Sequence, residues 1–334
     1  MKVAFFEKAI REQIEDELSF RHIETKWPDE PFAGRDGVAG PSISEYSGDL
    51  DTVKALVADA DIAITHLGPF PRDVIEAAPN LRFIGVSRGG PVNIDMEAAR
   101  ERGIAVANVP GRNASAVAEF TIGAILSQTR LITPGHVALA RGEWRGDLYR
   151  ADRTGEELSQ MTVGILGYSH VGQRVIRLLK PFGCRLLVCD PYVKLTVQDQ
   201  IDGVEQVDLD TLLARSDVVS LHVRVTKETI GMISEARIAR MKDGAYLINT
   251  ARGSLIDQKA MVAALRSGKL RGAAVDTFDL EPPPEGDEIL SLPNITLTPH
   301  IAGASRYVCT FAANTLADDL ARFLTGQPLV NPCN

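Results

Sequence analysis

Residues 161–172 decide how this chain folds; they read Met-Thr-Val-Gly-Ile-Leu-Gly-Tyr-Ser-His-Val-Gly. The apolar run at 163–166 is typical of a buried strand, and the apolar spacing of 171–179 predicts a helix directly after the turn. Gly167 permits a tight turn, and Gly172 lets the helix pack close to the strand. The N-terminus of such a helix attracts a pyrophosphate through its free N–H groups and its dipole. The stretch therefore predicts a nucleotide site.

Two residues near this turn bear on the kind of nucleotide. Ser169 stands where a dinucleotide-binding turn usually has its middle glycine. Its hydroxyl would donate to a phosphate oxygen, whereas its Cβ would hold the cofactor further away, and the sequence leaves both open. Asp190 follows the next predicted strand, where a carboxylate accepts hydrogen bonds from the adenosine ribose and repels a 2′-phosphate. The prediction is a site for NAD rather than NADP.

Short apolar runs alternate with helical patterns along most of the chain, which predicts parallel sheets covered by helices on both faces. Strands are predicted at residues 3–6, 62–65, 83–86, 104–107, 163–166, 186–189, 218–221, 246–248, 273–275 and 295–297. The last six of these strands, with their interleaved helices, predict a doubly wound nucleotide-binding domain. A mostly apolar helix predicted over 114–131 is typical of a domain or subunit interface.

Composition excludes several classes of protein. A chain of 334 residues is long enough for two domains. Its net charge of −8 argues against nucleic acid or an anionic membrane as a partner. The four cysteines lack metal-binding spacing, so we expect free thiols, no metal site and a cytoplasmic location. No apolar run approaches a signal peptide or the roughly 20 residues of a membrane span.

Candidate catalytic side chains follow three of the later strands: Arg252, Glu281 and His300. The carboxyl ends of parallel strands meet at one edge of a sheet, where α/β proteins bind ligands. We therefore expect these side chains and Asp276 to converge. A cation, a carboxylate and an imidazole are what hydride transfer to or from a hydroxy acid requires. Each residue alone would more often be structural or exposed, so the interpretation depends on their combination and order.

The motifs carrying Arg252, Glu281 and His300 resemble, in order and spacing, those of the D-isomer-specific 2-hydroxyacid dehydrogenase family. The resemblance covers almost the whole chain and is strongest over residues 154–305. It implies an α/β fold of two doubly wound parallel-sheet domains, with a Rossmann NAD domain inserted into a flavodoxin-like substrate domain. The substrate domain would comprise residues 1–107 and 301–334, and the NAD domain residues 108–300. It also implies a homodimer, with NAD bound between the domains.

The resemblance also implies the role of each catalytic residue. His300 would exchange the hydroxyl proton of the substrate, since an imidazole suits that work near neutrality. Glu281 would fix the tautomer of that ring and stabilise its protonated form. Arg252 would bind the carboxylate of the substrate in a fork. The cofactor itself carries the redox chemistry.

The predicted ligand contacts lie in the nucleotide turn, at strand ends and in one glycine-containing loop. For the cofactor they are Gly167, Ser169, His170, Val171, Gly172, Asp190, Pro191, His222, Val223, Arg224, Thr250, Ala251, Asp276, Ala302 and Gly303. For the substrate they are Arg88, Gly89, Gly90, Arg252 and His300.

The cations on the substrate side suggest a further property of the ligand. Arg88 is an added cation in the glycine-containing loop, and together with Arg112 and Arg150 it suggests a small acidic substrate with a second negative group, such as phosphate. The alternative is that Arg88 and Arg112 form surface or interdomain ion pairs. His66, in a loop after a predicted strand, is a further candidate to face the substrate.

The sequence predicts an NAD-dependent oxidoreductase acting on a D-2-hydroxy acid or its 2-keto acid, of the 3-phosphoglycerate, hydroxypyruvate or glyoxylate type. Two other interpretations stay open. One is a relative that oxidises phosphite or formate, although formate-oxidising relatives place Gln where Glu281 stands. The other is an NAD-sensing transcriptional corepressor, because the same fold serves that role and fold alone does not prove function.

Overall fold

The computed structural model describes residues 3–24 and 42–334, which form two compact units. Unit 1 combines the described residues up to Arg112 with Ser305–Asn334, and unit 2 is Asn113–Ala304. The crossings predicted from the sequence, near residues 108 and 300, lie a few residues before these boundaries.

Helices and strands mostly alternate along the chain in both units. The helices are α1 (Val3–Gln13), α2 (Leu50–Val57), α3 (Arg72–Glu76), α4 (Met96–Glu101), α5 (Ala114–Thr129), α6 (Ile132–Ala140), α7 (His170–Leu179), α8 (Val197–Ile201), α9 (Leu209–Arg215), α10 (Glu235–Arg240), α11 (Gln258–Ser267) and α12 (Arg306–Leu324). The strands are β1 (Ile62–Thr65), β2 (Phe83–Val86), β3 (Ala105–Asn108), β4 (Thr162–Leu166), β5 (Arg185–Cys189), β6 (Glu205–Gln206), β7 (Val218–Leu221), β8 (Ala245–Asn249), β9 (Leu270–Val275) and β10 (Ile295–Leu297). Short 3-10 helices occupy Gly146–Tyr149, Leu158–Gln160, Lys180–Phe182, Gly253–Leu255 and Glu288–Ser291.

Unit 1 is built on a parallel sheet in the order β1-β2-β3. All four residues of β2 are buried, because helices cover both faces of the sheet. One face packs against α1 and α12 and the other against α3 and α4. The last residues of the chain run antiparallel beside β3, with a bridge between Ala107 and Pro332. This segment covers the outer edge of β3, which would otherwise expose unpaired N–H and C=O groups.

The strand predicted at residues 3–6 is wrong, because these residues begin helix α1. The buried residues of α1 include Phe6, Ala9 and Ile10, which repeat at helical spacing and belong to the core that α12 lines. A run of four apolar residues fits a strand and a buried helix equally well. The helical spacing becomes apparent only when the buried residues beyond this run, Ala9 and Ile10, are included.

Unit 2 contains a parallel sheet in the order β10-β9-β8-β7-β4-β5-β6. Within this sheet the chain forms the central strand β4 first and then adds β5 and β6 toward one edge. It returns to β7, on the other side of β4, and adds β8, β9 and β10 toward the opposite edge. The carboxyl ends of β4 and β7 therefore flank the switch point at which doubly wound sheets bind ligands. The six strands predicted for this region are all found, with ends moved by a few residues, whereas the short edge strand β6 was not predicted.

The apolar helix predicted over 114–131 forms as α5, which packs against α7 and the strands β8 to β10. Its buried face includes Gln128, whose Nε2 donates to Thr296 Oγ1 at 2.7 Å. Among residues 3–24 and 42–334, no helix combines the length and apolarity that crossing a bilayer requires.

Candidate active site

The nucleotide turn is packed too closely for side chains at its two glycines. Gly167 has φ 101°, and a Cβ on it would lie 2.8 Å from the carbonyl carbon and oxygen of His222, at the end of β7. A Cβ on Gly172 would lie 2.1 Å from the carbonyl oxygen of Gly167. The nucleotide turn therefore carries no side chain at these two positions, and α7 packs directly against β4, the strand before it.

Ser169 is the N-cap of α7. Its Oγ accepts from the N–H of Gly172 at 3.4 Å and donates to the carbonyl oxygen of His222 at 3.0 Å. The Ser169 hydroxyl thus donates its proton within the protein, and this hydrogen bond joins the turn to the end of β7. The N–H groups of His170 and Val171 make no hydrogen bond to any part of the chain that the structure describes. They remain available to an anion at the start of α7.

Asp190 lies at the end of β5, where its carboxylate is fixed by backbone donors. Its Oδ2 accepts from Tyr168 N at 2.8 Å, and its Oδ1 accepts from the N–H groups of Tyr192 at 2.9 Å and Val193 at 3.0 Å. Because each carboxylate oxygen has two lone pairs, Oδ2 can accept one further donor such as a ribose hydroxyl. The nucleotide turn, its free N–H groups and this carboxylate fit a bound dinucleotide.

His222 follows β7, is 6% exposed, and pairs its Nε2 with Ser220 Oγ at 2.9 Å. Burial lowers the pKa of His222 to about 3, because the charged imidazolium is costly away from water. The ring is therefore neutral at pH 7. Because its ring is buried and neutral, His222 lines the wall behind the nucleotide turn and does not serve as a proton donor or acceptor in catalysis.

His300 and Glu281 form a hydrogen-bonded pair, with 2.9 Å between Nδ1 and Oε2. The other carboxylate oxygen of Glu281, Oε1, accepts from Phe278 N at 3.0 Å and so is held in place. Since a carboxylate oxygen accepts and does not donate, Nδ1 carries the proton and Nε2 is the bare acceptor. The His300 side chain is 40% exposed, which leaves the ring accessible to a small molecule.

The backbone around His300 is held by Asp276, which is 1% exposed at the end of β9. Oδ1 of Asp276 accepts from Thr298 Oγ1 at 2.6 Å and from Ile301 N at 2.9 Å, and Oδ2 accepts from Ala302 N at 2.8 Å. His300 itself adopts φ 54°, which is uncommon for a residue other than glycine. The buried carboxylate therefore maintains a loop conformation that the chain would seldom adopt unaided.

Arg252 lies in a turn that the buried side chain of Asn249 organises. Asn249 Nδ2 donates to the carbonyl oxygen of Arg252 at 2.8 Å, and its Oδ1 accepts from Ala251 N at 3.0 Å. A Cβ on Gly253 would lie 2.1 Å from the carbonyl carbon of Phe278. The Arg252 turn therefore packs directly against the segment that leads to Glu281. The Arg252 side chain is exposed, and no carboxylate of the described chain pairs with it.

The other residues predicted to contact the cofactor also lie at the carboxyl ends of strands in unit 2. Val223 is half-buried and Arg224 is exposed after β7, Ala251 is half-buried, and Pro191 is exposed after Asp190. Thr250, after β8, is buried, and its Oγ1 lies 2.9 Å from Thr121 Oγ1 of α5. In the segment after β10, Ala302 is buried and Gly303 is half-buried. A Cβ on Gly303 would meet Asn113 Nδ2 at 2.4 Å. The structure thus gathers the predicted residues of unit 2 along one edge of its sheet.

The remaining predicted contacts, Arg88, Gly89 and Gly90, lie in unit 1 after β2. Arg88 forms an ion pair with Glu45, in keeping with the alternative that this cation is neutralised within the protein. Arg150, in unit 2, pairs with Asp152 at 2.9 Å on the surface. No cluster of metal-binding side chains occurs in the two described stretches of the chain.

Sequence reasoning missed the supports of this site: Asn249, Phe278 N–H, Thr298 and Ser220. The sequence does offer a signal for Asn249, because an amide at the end of a buried apolar strand needs hydrogen-bond partners. No sequence signal marks the N–H of Phe278, since every residue except proline has a backbone N–H.

Comparison with known proteins gives a consistent result. Residues 122–302 match the sequence model described as D-isomer specific 2-hydroxyacid dehydrogenase, NAD binding domain. D-3-phosphoglycerate dehydrogenase of Archaeoglobus fulgidus is 39% identical over 262 residues, covering 78% of this chain and 49% of that protein. Glyoxylate reductase of Thermofilum pendens is 40% identical over 255 residues, covering 76% and 75%. The solved structure of D-2-hydroxyisocaproate dehydrogenase has a TM-score of 0.77 at 32% identity, covering 85% and 89%.

The matches confirm the predicted α/β class and NAD as the cofactor. This chain spans about half the length of the phosphoglycerate dehydrogenases that it matches, 49% and 52% in two cases. It spans three quarters of the glyoxylate reductase, 75%.

Proposed function

This chain belongs to the D-isomer specific 2-hydroxyacid dehydrogenase family, and from that premise we propose that it transfers a hydride between NAD and a D-2-hydroxy acid or the corresponding 2-keto acid. The observation that carries the proposal is the His300–Glu281 pair, 2.9 Å apart on the sheet edge that also bears the nucleotide turn. An imidazole backed by a carboxylate is a general acid–base group, and a hydroxy acid must lose its hydroxyl proton as its hydride leaves.

Each residue has a definite task in this chemistry. Bound NAD supplies the site that accepts or gives the hydride. Nε2 of His300 takes the substrate hydroxyl proton in oxidation and returns it to the carbonyl oxygen in reduction. Glu281 keeps Nδ1 protonated and stabilises the imidazolium while the proton is held. Asp276 keeps His300 in place by accepting from the Thr298 hydroxyl before it and from the Ala302 N–H after it.

Arg252 is assigned to the carboxylate of the substrate. A guanidinium binds a carboxylate in a planar, two-bonded arrangement, and its charge also polarises the neighbouring carbonyl during reduction. Support comes from its exposed side chain and from the Asn249 bonds that fix its turn. We assign the NAD-binding role to unit 2 and the substrate-binding role to unit 1, where Gly89 and Gly90 offer backbone N–H groups.

The names of the relatives define the acids to be tested. They include phosphoglycerate and glycerate dehydrogenases and reductases of glyoxylate and hydroxypyruvate. The experiment measures NADH consumption with glyoxylate, hydroxypyruvate and 3-phosphohydroxypyruvate, with NADPH in parallel. The proposal predicts turnover of at least one acid and a preference for NADH, which Asp190 favours. Tight NADH binding without turnover of any acid would favour a sensing role instead.

We also propose that the protein is a cytoplasmic homodimer. Support for a second copy as partner comes from apolar side chains exposed on and after α6: Ile132 at 57%, Leu139 at 59% and Trp144 at 84%. An exposed apolar patch of this kind usually marks an interface. Support for a reducing compartment comes from the four cysteines, which are all free. Sedimentation velocity of the wild type and of Leu139→Glu tests the dimer; a wild-type monomer at micromolar concentration would overturn it.

A further inference from the structure

The loop of residues 190–196 follows β5 in unit 2 and begins with Asp190, the carboxylate suited to the adenosine ribose. The adenine ring is attached to that ribose, so a bound adenosine lies against this loop. Two of its apolar side chains are exposed, Tyr192 at 89% and Val193 at 41%. Because these side chains gain little from burial, the shape of the loop depends on the hydrogen bonds that hold its backbone.

Gln206, in the short edge strand β6, holds the middle of this loop with its side-chain amide. Its Nε2 donates to the carbonyl oxygens of Asp190 at 2.9 Å and Val193 at 3.0 Å, and its Oε1 accepts from Leu195 N at 3.3 Å. β6 has only two residues, and its pairing with β5 sets Gln206 opposite Val188. The short strand therefore places one amide within reach of three backbone groups of the loop.

Tyr168, in the nucleotide turn, holds the end of the same loop. Its side chain is buried, at 1% exposure, and its hydroxyl donates to the Asp199 carboxylate of α8 and accepts from Thr196 N at 3.3 Å. Thr196 is the N-cap of α8, and its Oγ1 accepts from Asp199 N at 3.1 Å. One buried phenol thus joins the turn that suits the pyrophosphate to the point at which the loop enters α8.

The Asp199 carboxylate that receives this hydrogen bond is itself fixed and charged. Lys180 Nζ donates to Asp199 Oδ1 at 2.7 Å and also pairs with Asp202. Partial burial acts to raise the pKa of Asp199, but hydrogen bonds from Lys180 and Tyr168 lower it overall. An ionised carboxylate only accepts hydrogen bonds, so the Tyr168 hydroxyl is the donor. Its bond is charge-assisted and therefore stronger than a bond between neutral groups.

We propose that Tyr168 and Gln206 are positioning residues for the cofactor, which hold loop 190–196 in the shape that receives the adenosine. They set the affinity for the adenosine half of NAD and leave the affinity for the nicotinamide half unchanged. Neither side chain is assigned a contact with the cofactor, since each acts through the loop. Because the loop affects the cofactor only through Asp190 and the bound ribose, this inference rests on the proposed function.

The test compares wild type, Tyr168→Phe, Gln206→Leu and the control Tyr246→Phe. Tyr168→Phe removes only the hydroxyl, and Gln206→Leu keeps a side chain of similar size without its three hydrogen bonds. Tyr246 is a matched control because it is a buried tyrosine of the same unit, at 3% exposure, whose hydroxyl has no hydrogen-bond partner in the part of the chain that the structure describes. Thermal unfolding checks that each variant is folded, and Gln206→Leu, at an exposed position, decides the test if Tyr168→Phe does not fold.

Three ligands separate the two halves of the cofactor. NADH has both halves, ADP-ribose has the adenosine half, and reduced nicotinamide mononucleotide has the other. Tyr168→Phe and Gln206→Leu should each raise the Kd of NADH and of ADP-ribose about 5- to 30-fold, the range for losing hydrogen bonds that order a binding loop. The Kd of the mononucleotide should change less than about 2-fold, because distant sites act independently. Tyr246→Phe should match wild type with all three ligands.

Steady-state kinetics give a second readout that a general loss of structure would not reproduce. The KM of NADH should rise in parallel with its Kd in Tyr168→Phe and Gln206→Leu, whereas kcat at saturating NADH should not fall. A fall in kcat with an unchanged KM would contradict positioning of the adenosine and would point to a disturbed catalytic loop instead.

The binding results alone can overturn the inference. Equal increases in Kd for ADP-ribose and the mononucleotide would show a general structural role, and an unchanged Kd of ADP-ribose in the folded variants would show no role at all. A wild type that binds ADP-ribose but reduces no keto acid would refute the proposed reaction, and the ADP-ribose comparison would then decide this inference by itself. A wild type that binds neither NADH nor ADP-ribose would overturn both.

Discussion

Asp276 holds the chain on both sides of His300, by accepting from the side-chain hydroxyl of Thr298 at 2.6 Å and from the backbone N–H of Ala302 at 2.8 Å. The carboxylate is 1% exposed, whereas the imidazole that it positions is 40% exposed. A rigid buried group thus sets the position of an accessible reactive one, which is how a site is held in productive geometry before its substrate arrives.

Asp276→Asn should separate this positioning role from a direct role in cofactor binding. The side-chain amide places a donor against N–H groups that now bond to a carboxylate oxygen, so the loop that carries His300 must shift. A shift of about 1 Å at a catalytic group can lower kcat about 100-fold. The NADH Kd, followed by fluorescence titration, should change much less. A raised Kd with unchanged kcat would instead make Asp276 a cofactor contact.

Gly253→Ala should disrupt the packing between the Arg252 turn and the segment before Glu281. Its Cβ would lie 2.1 Å from the carbonyl carbon of Phe278, so the two backbones must separate. We expect a loss of about 1–3 kcal/mol in the free energy of unfolding, as for other overpacked sites, and a fall in kcat beyond what stability explains. Ser254→Ala, in the same turn, is the matched control and should leave both unchanged. Wild-type kcat in folded Gly253→Ala would contradict this account.

His222 should make unit 2 less stable in acid. Its folded pKa of about 3 lies below the ordinary value of 6.5, so the unfolded chain binds the proton first as the pH falls. The stabilisation is complete above pH 6.5 and is lost progressively between pH 6.5 and about 3. From pH 7 to pH 5 this single group should lower the free energy of unfolding by about 2 kcal/mol.

The pH dependence can be assigned by comparing variants. Hydrogen exchange of amides in β4 and β7 at the two pH values gives the free energy of opening in unit 2. His222→Asn should lose about 2 kcal/mol less than wild type over this interval. His136→Asn, at an exposed imidazole on α6, should lose the wild-type amount. Identical losses in wild type and His222→Asn would rule His222 out.

The sequence predicts those parts of the fold and site that depend on residues close together in the chain, and it fails where distant residues must meet. The strands of unit 2 and the order of Arg252, Glu281 and His300 follow from local patterns, because apolar runs and strand-end residues carry their signal within a few positions. The sequence predicts a strand at residues 3–6, where the structure has helix α1, because four apolar residues fit either structure. The identity of α1 depends on packing against α12, about 300 residues away in sequence.

The electrostatics of the site could not be predicted in the same way. The Arg88–Glu45 pair joins residues 43 positions apart, so the neutralisation of Arg88 is invisible to local pattern. The same holds for the three bonds of Asp276, which reach 22 to 26 residues along the chain. Residue type and strand position predict which groups meet at an edge, but only the folded chain determines which of them pair.

Asp319 should be a principal support of unit 1. This carboxylate is 0% exposed, and it accepts from Val330 N at 2.6 Å and from Asn331 Nδ2 at 2.9 Å, which ties the end of the chain to α12. Asp319→Ala leaves those donors unpaired and should cost about 3 kcal/mol in the stability of unit 1. The neighbouring Asp318→Ala breaks only a surface pair with Arg322 and should cost less than about 0.5 kcal/mol. Guanidinium unfolding of both variants tests this, and equal losses would contradict it.

The most direct test of the central claim is single-turnover reduction of a keto acid, comparing wild type, Glu281→Gln and His300→Gln with NADH bound. We expect His300→Gln to slow NADH oxidation about 100- to 10,000-fold, the range for losing a general acid. Glu281→Gln should slow it by an intermediate factor, and the NADH Kd should stay close to wild type in both. Oxidation of NADH by His300→Gln at the wild-type rate would show that the Glu281–His300 pair does not carry the proton.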